Sequence, residues 1–156
     1  MTRTLSMWAA LVAMLVGTAG AFAQGVGDNR PDPADLAARC VAQMDRSSDR
    51  TIGAIGSATD NAINAVARLD AAGAEDRAIV RAGQAGIDRV QRTGRSGIAR
   101  ISRIENSCVR MLIRLGAERE LVQRFRGAAE GFREDIGNAA QRGSGAIRQA
   151  VADAIG

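Results

Sequence analysis

The fold is decided by the sequence ARLDAAGAEDRAI, residues 67–79, which combines the end of one helix with the beginning of the next. Gly73 can adopt the left-handed backbone conformation that closes a helix. The acidic residues that follow then lie in the first turn of the next helix, where the helix dipole favours negative charge. The sequence RLGAERE, residues 114–120, repeats this arrangement around Gly116. Together the two turns predict a chain that reverses direction twice.

The start of the first helix and the lack of later breaks indicate three long helices. Asp32 can cap the first helix, and Pro33 suits the first helical position because that position needs no backbone N–H donor. No proline follows Pro33. We therefore predict an all-α, up-down-up three-helix bundle, in which a long antiparallel hairpin carries a third, partly docked helix. The predicted helices cover residues near 33–71, 75–115 and 117–155.

The composition agrees with a helical bundle. Aromatic residues make up only 3% of the chain, whereas hydrophobic residues make up 46%. Long helices can build a core from Ala, Ile, Val, Leu and Met, while a β-sandwich or barrel draws on aromatic and β-branched residues with a period of two. The length suits a single domain.

Apolar or small residues recur at alternating steps of three and four along the first two helices, which is the heptad spacing of a left-handed coiled coil. With the chain reversal near Ala74, these residues face one another, and in most pairs a large side chain meets a small one. The predicted pairs are Leu69–Val80, Val66–Gly83, Ala62–Ile87, Thr59–Val90, Ile55–Gly94, Ile52–Gly97 and Ser48–Ile101. Asp45 falls in this stripe, and its neighbour Met44 is the better candidate for the core.

The N-terminal residues have the pattern of an export signal. A positively charged start precedes an apolar run at residues 7–16, and residues 21–23 supply the small side chains of a cleavage site. We therefore predict an exported protein, periplasmic or secreted, with no transmembrane span after signal removal; an uncleaved anchor is the alternative. The predicted organisation is a signal peptide at 1–23, a polar lead-in at 24–32 and one helical domain at 33–156.

The predicted chain reversal also places Cys40 beside Cys108. Packed helices whose axes are about 8–10 Å apart leave facing Cα atoms about 4–5.5 Å apart, and a disulfide requires about 4.4–6.8 Å. An exported chain with two cysteines is expected to oxidise them. We therefore predict a disulfide that closes the open end of the hairpin. Two free buried thiols, or an intermolecular pair, are the alternatives.

The third helix has a different sequence repeat. Its apolar residues from Phe125 to Ala154 recur with an eleven-residue period, which favours a straight or slightly right-handed path. We therefore expect this helix to dock on the hairpin over only part of its length, and to fray or break near Gly143–Gly145. Its apolar stripe is either a core face or a surface that binds a membrane or a partner.

Catalysis and metal binding have few candidate residues. The chain contains no His and no Tyr, all of its basic residues are Arg, and both cysteines are assigned to the disulfide. The usual general bases, activated nucleophiles and zinc ligands are therefore missing. We predict no enzymatic activity, no cofactor, and no catalytic or metal-binding residue.

Arginine is concentrated on the second predicted helix. Residues 76–114 carry nine arginines and three acidic residues, a net charge of +6. Guanidinium groups suit phosphate and carboxylate ligands, although a solvated face balanced by acidic residues on the other helices is the alternative. The predicted outward arginine strip, a candidate anion-binding surface, consists of Arg89, Arg92, Arg95, Arg100, Arg103, Arg110 and Arg114.

These features predict a non-enzymatic, exported structural or interaction protein of the bacterial cell envelope, whose partner is another protein or a second copy of the chain. The alternative is a peripheral binder of anionic surfaces through the arginine strip and the third helix. Lipid head groups, lipopolysaccharide and anionic glycans are surfaces of this kind. Nucleic acid is not an expected partner, because no aromatic residues interleave with the arginines for base stacking.

Overall fold

A computed structural model of the protein describes residues 31–156, and nearly all of these residues lie in three helices. They are α1 (Pro33–Ala71), α2 (Asp76–Arg114) and α3 (Arg119–Ile155). Each helix packs against both of the others. The predicted all-α, up-down-up three-helix bundle is therefore confirmed, with helix boundaries within two residues of those predicted.

Part of the predicted organisation lies outside the described residues. This applies to the signal peptide at 1–23 and to all but the last two residues of the lead-in at 24–32. Within the described part of the chain, no helix combines the length and the hydropathy that crossing a membrane requires.

The helix ends form as the sequence predicts. The Asp32 carboxylate accepts a hydrogen bond of 2.8 Å from the backbone N–H of Ala34, which caps α1. Gly73 and Gly116 have φ angles of 64° and 74°, in the left-handed region. At the first turn the N–H of Ala74 donates to the carbonyl of Leu69, a bond that satisfies one of the last free carbonyls of α1. Both chain reversals are thus closed by glycine.

The core runs along the whole bundle and draws on all three helices. Met44 is fully buried and Asp45 is exposed, so the stripe of α1 shifts by one residue at this point as expected. The predicted pair Ile55–Gly94 is confirmed, since a Cβ atom on Gly94 would lie 3.9 Å from the Ile55 Cδ1. The largest fully buried side chains are Phe125, Met44, Ile101, Leu112, Ile136, Ile147, Val66 and Val90.

Two glycines of α2 determine how closely α1 and α2 approach. A Cβ atom on Gly97 would overlap the side chain of Thr51, and a Cβ atom on Gly86 would overlap that of Ala62. The prediction paired Gly97 with Ile52, so the predicted register is right to within one residue. Gly86, which the heptad pattern leaves unexplained, owes its place to this close approach.

The predicted pairing is wrong near the first turn. Val80 is 46% exposed whereas Ile79 is 2% exposed, so Ile79 takes the core position. The nearest neighbours of Gly83 are Val151 and Ile147 of α3, where the prediction placed Val66 of α1. The physical reason is that α2 packs against two helices. Its apolar stripe divides between them, whereas the prediction assigned the whole stripe to α1.

The expectation of a partly docked, broken third helix is also wrong. The helix α3 continues without a break through Gly143–Gly145 to Ile155, and Ile147 is fully buried. A Cβ atom on Gly143 would overlap the Thr59 hydroxyl and lie 3.5 Å from the Val90 Cγ1. The bare backbone of Gly143 therefore allows α3 to seat against α1 and α2 together, and this packing offsets the low helix propensity of glycine.

Candidate functional site

The predicted disulfide is present at the end of the bundle opposite Gly73. Cys40 and Cys108 are bonded, with their Cα atoms 6.4 Å apart, and both residues are buried. The bond joins the early turns of α1 to the late turns of α2, across 68 residues of sequence. Since the glycine turn holds the other end, the α1–α2 hairpin is closed at both ends and its groove has a fixed width.

The arginines of this hairpin gather on one side of it. Successive residues of an α-helix are about 100° apart, so Arg39, Arg46, Arg50 and Arg68 of α1 fall within an arc of about 40°. By the same geometry, Arg89, Arg92, Arg100, Arg103, Arg110 and Arg114 of α2 fall within an arc of about 80°. All ten side chains are exposed, and over the described lengths of α1 and α2 no acidic residue falls within either arc. We call these ten residues the arginine face.

A groove between α1 and α2 brings five of these arginines together. One part of the groove is lined by Arg50, Arg92 and Arg100, with the hydroxyl groups of Thr93 and Ser96 between them. The adjoining part is lined by Arg39, Arg100 and Arg103, by Gln43 and Ser107, and by apolar residues, which are the disulfide-bonded cysteines, Leu36, Ile104 and Met111. Arg100 lines both parts. The polar side chains of the groove are thus cations and neutral hydrogen-bonding groups, which suits an anion.

At the interface between α2 and α3, in contrast, an arginine is paired with acidic residues. Arg133 of α3 forms ion pairs with Glu105 of α2 and with Glu130 on the preceding turn of its own helix. Partial burial acts to lower the pKa of Arg133, but the hydrogen bonds donated to the two carboxylates outweigh it and raise the pKa above its ordinary value. These are the ion pairs that form among residues 31–156, so no described carboxylate pairs with the arginine face.

The side of α1 turned away from the arginine face is acidic. Asp45 lies one helical turn from Asp49, and its pKa is raised, first by partial burial and second by the negative charge of Asp49. The nearby Arg46 opposes this shift. The two signs of charge on α1 are therefore sorted onto different sides of the helix.

The predicted arginine strip is only partly the surface that the structure presents. Arg92, Arg100 and Arg103 line the groove, and Arg89, Arg110 and Arg114 share their arc. Arg95, in contrast, lines a separate groove between α2 and α3, beside Arg148.

Two groove residues of α1, Arg39 and Arg50, were missed by the sequence analysis. The uneven arginine content of the helices indicates a strip on α2 alone. The facing rule that paired Cys40 with Cys108 would also have placed Arg39 and Arg50 opposite the arginine-rich part of α2.

Side chains of the metal-ligating types and unpartnered buried hydroxyl groups can also be located among the described residues. Within residues 31–156, no group of three or more His, Cys, Asp or Glu side chains is arranged to hold a metal ion. Two buried hydroxyl groups, those of Ser47 and Ser144, have no hydrogen-bond partner there. Ser144 lines the groove between α2 and α3 beside Arg95 and Arg148, and Ser47 lies on α1 one helical turn before Arg50. The arrangement can therefore bind an anion by charge and hydrogen bonding.

No protein-family model, no curated protein and no solved structure matches the chain.

Proposed function

We propose that this protein is an exported, non-enzymatic interaction module of the cell envelope that binds anionic ligands through the arginine face. A single observation carries the proposal: ten exposed arginines share one side of the α1–α2 hairpin, and no described carboxylate pairs with them. An unpaired cluster of like charges repels itself, and an anionic ligand relieves that repulsion. Guanidinium groups also offer forked donors that match phosphate and carboxylate.

Export belongs to the proposal and has indirect support. A disulfide persists in oxidising compartments and is rare in the cytosol, and this bundle contains one between Cys40 and Cys108. The envelope of a bacterium supplies anionic lipid head groups, lipopolysaccharide and anionic glycans, which are ligands of the required charge.

The third helix does not belong to the proposed binding surface. Its apolar stripe packs into the core, where Phe125 is 2% exposed and Ile136 and Ile147 are fully buried. A helix that lies in a membrane interface needs such a stripe to be free. The proposal therefore assigns binding to the arginine face alone.

Co-sedimentation with lipid vesicles tests the proposal. We expect the full chain to bind vesicles that contain anionic lipid, to release them as salt is raised, and to ignore neutral vesicles. The triple variant Arg89→Gln/Arg92→Gln/Arg103→Gln should lose most of this binding. A matched control, Arg124→Gln/Arg126→Gln/Arg142→Gln, removes the same charge from exposed positions of α3 and should retain it.

Two results would overturn the proposal. One is the absence of binding to any anionic probe at low salt. The other is an equal loss in both triple variants, which would mean that net charge and not the arginine face matters. In either case a structural role becomes the better candidate. It is favoured by the stapled bundle itself, whose helices are each about 55–60 Å long.

A further inference from the structure

The groove between α1 and α2 differs from a simple charged surface, because its arginines come from both rims. Arg39 and Arg50 stand on the α1 side, while Arg92, Arg100 and Arg103 stand on the α2 side. A narrow ligand lying in the groove would therefore meet guanidinium groups from two directions. A flat bilayer would meet only those side chains that project outward.

The five arginines form two clusters along the groove. The first contains Arg50 and Arg92, the second contains Arg39 and Arg103, and Arg100 belongs to both. The helical rise of about 1.5 Å per residue places the centres of the clusters on the order of 10 Å apart. Two anionic groups on one ligand, at about this spacing, could occupy both clusters at once.

The helix packing gives the groove its floor. Gly97 allows α2 to approach Thr51 closely in the first cluster, and the disulfide between Cys40 and Cys108 fixes the distance between the helices in the second. The helix backbones that carry the arginines are already in place before the ligand binds, so only the side chains have to be ordered. The clusters are thus held at a fixed spacing.

Apolar anchors for a bilayer are scarce on this face. The exposed large hydrophobic residues of the described chain are Val80, Met111, Ile113 and Ile155, and of these only Met111 borders the groove; Leu36 and Ile104 also line it but are half-buried and cannot insert into a bilayer. Interfacial proteins combine basic groups with an apolar surface that inserts among the lipids. The charge of the groove and its shape therefore favour an extended chain over a membrane.

We infer that the α1–α2 groove is a two-subsite binding site for an extended polyanion, with one anionic group in each arginine cluster and Arg100 shared between them. This inference rests on the proposed function and narrows it to a linear polymer that carries phosphate or a comparable oxyanion. Such a ligand lies along the helices, parallel to their axes. Binding at one subsite raises the effective concentration of the next anionic group at the other.

Calorimetric titration with linear inorganic polyphosphate of defined chain length tests the site. Orthophosphate and pyrophosphate fill one cluster at most, so they should bind weakly. Affinity should rise steeply once the chain is long enough to reach both clusters, and should then level off. A smooth rise in proportion to total charge, without such a step, would overturn the two-subsite arrangement.

Single substitutions locate the shared residue. Arg100→Gln should weaken polyphosphate binding about tenfold, because a charge-assisted contact is lost at both subsites. Arg92→Gln and Arg103→Gln should each weaken it by a smaller factor, and the control Arg142→Gln should change it less than twofold. Helicity and thermal stability of each variant verify that the fold is retained. Equal affinities for Arg100→Gln and Arg142→Gln would overturn the inference.

The vesicle assay separates this inference from the proposed function. Binding to anionic vesicles that depends on the arginine face, combined with no binding of polyphosphate, would overturn the inference and leave the proposed function in place. Binding of neither probe at low salt would overturn both.

Discussion

The two interfaces that α2 makes stabilise the bundle in different ways. Toward α1, a covalent bond joins Cys40 to Cys108, and the exposed rim carries arginines that form no ion pair with a carboxylate of residues 31–156. Toward α3, no covalent bond is present in the described residues, and Arg133 is paired with Glu105 across the interface. The same residue type, arginine, is thus a structural partner on one side of α2 and an unneutralised charge on the other.

This difference between the two interfaces indicates where a helical bundle can carry charges of one sign without ion-pair partners. Like charges on facing helices repel each other and weaken the contact between them. A disulfide does not lessen that repulsion, but it offsets the cost by lowering the conformational entropy of the unfolded chain. The α1–α2 hairpin can therefore hold a one-signed face that the α2–α3 interface, without such a bond, could hold less easily. Four predictions test this comparison, beginning with the largest effect.

Removing the disulfide should cause the largest loss. The double variant Cys40→Ala/Cys108→Ala frees a loop of 68 residues in the unfolded chain, and the chain-entropy model gives a loss of about 4 kcal/mol in the free energy of unfolding. The wild-type protein and the double variant should both be less stable at low salt, because the arginine face then repels itself more strongly, so the double variant should come closest to unfolding there. Denaturant unfolding at two ionic strengths measures both effects.

The wild-type protein in a reducing agent is the control for the double variant and should show the same loss. Stabilities that do not change with salt in either protein would mean that the arginine face carries no net repulsion. Such a result would break the comparison between the two interfaces.

Adding a side chain where α3 packs closely against α1 should cause the next largest loss of stability. Gly143→Ala places a Cβ atom against the Thr59 hydroxyl in a buried position, and overpacking of this kind costs about 1–3 kcal/mol of stability. The matched control is Gly53→Ala, at an exposed position of α1 with nothing within 4 Å of the new Cβ. There the higher helix propensity of alanine should stabilise the protein by about 0.5–1 kcal/mol.

Thermal unfolding measures both variants, and we expect Gly143→Ala to lower the melting temperature and Gly53→Ala to raise it. If both variants stabilise the protein, α3 is not seated on α1 at Gly143, and the α2–α3 interface depends on Arg133 more than on packing.

Breaking the ion pair across the α2–α3 interface should have a smaller effect. Arg133→Gln leaves the carboxylate of Glu105, whose side chain is 14% exposed, without its cation. We expect a loss of about 1–2 kcal/mol, as for a partly buried charged hydrogen bond. Arg103→Gln, on the arginine face, removes an arginine without a described partner and should change stability by no more than about 0.5 kcal/mol.

A double-mutant cycle with Glu105→Gln would isolate the pair energy of Arg133. Equal stability losses for Arg133→Gln and Arg103→Gln would mean that arginine plays the same part on both sides of α2. That result would remove the distinction between the interfaces.

The sequence was sufficient for the parts of the fold that depend on one helix or on two helices joined by a turn. The turns at Gly73 and Gly116 follow from backbone preference, and the disulfide between Cys40 and Cys108 follows from counting residues back from the first turn. The burial of Met44 in place of Asp45 follows from polarity alone.

The features of the fold that depend on the packing of the third helix could not be predicted from the sequence. Whether Gly143 weakens α3 or seats it depends on what lies opposite, and the facing residues Thr59 and Val90 come from two other helices. Single-helix propensity predicts only the weakening. The prediction that Val80 faces α1 was wrong for the same reason. An apolar stripe that packs against one helix has the same sequence pattern as a stripe that packs against two.

The candidate site shows the same division. The concentration of arginine on α2 is visible in the sequence, but the groove requires both rims. Arg39 and Arg50 belong to a helix whose net charge is slightly negative, since residues 33–71 carry four arginines and five acidic residues. The rim of α1 is basic because its four arginines share an arc of about 40°, while its acidic residues fall outside that arc, Asp35 and Asp60 by about 20° and 40°.

The smallest predicted effect concerns the acidic side of α1. The folded-state pKa of Asp45 is raised by partial burial and by Asp49, so folding disfavours the charged form of Asp45 and this carboxylate costs stability at neutral pH. Asp45→Asn should therefore stabilise the protein slightly at pH 7, within about 0.5 kcal/mol for such an exposed position. As the pH falls through the folded and then the unfolded pKa, the wild-type carboxyl becomes protonated and the advantage of the variant should disappear.

Thermal unfolding at pH 7 and at about pH 3, below the ordinary aspartate pKa, measures this difference. In an Asp49→Asn background one source of the raised pKa is gone, so the gain from Asp45→Asn should shrink. If Asp45→Asn instead destabilises the protein at pH 7, then Asp45 acts chiefly as a partner of Arg46. The acidic and basic sides of α1 would then compensate each other, and the arginine face would be less free to bind an external anion than its geometry indicates.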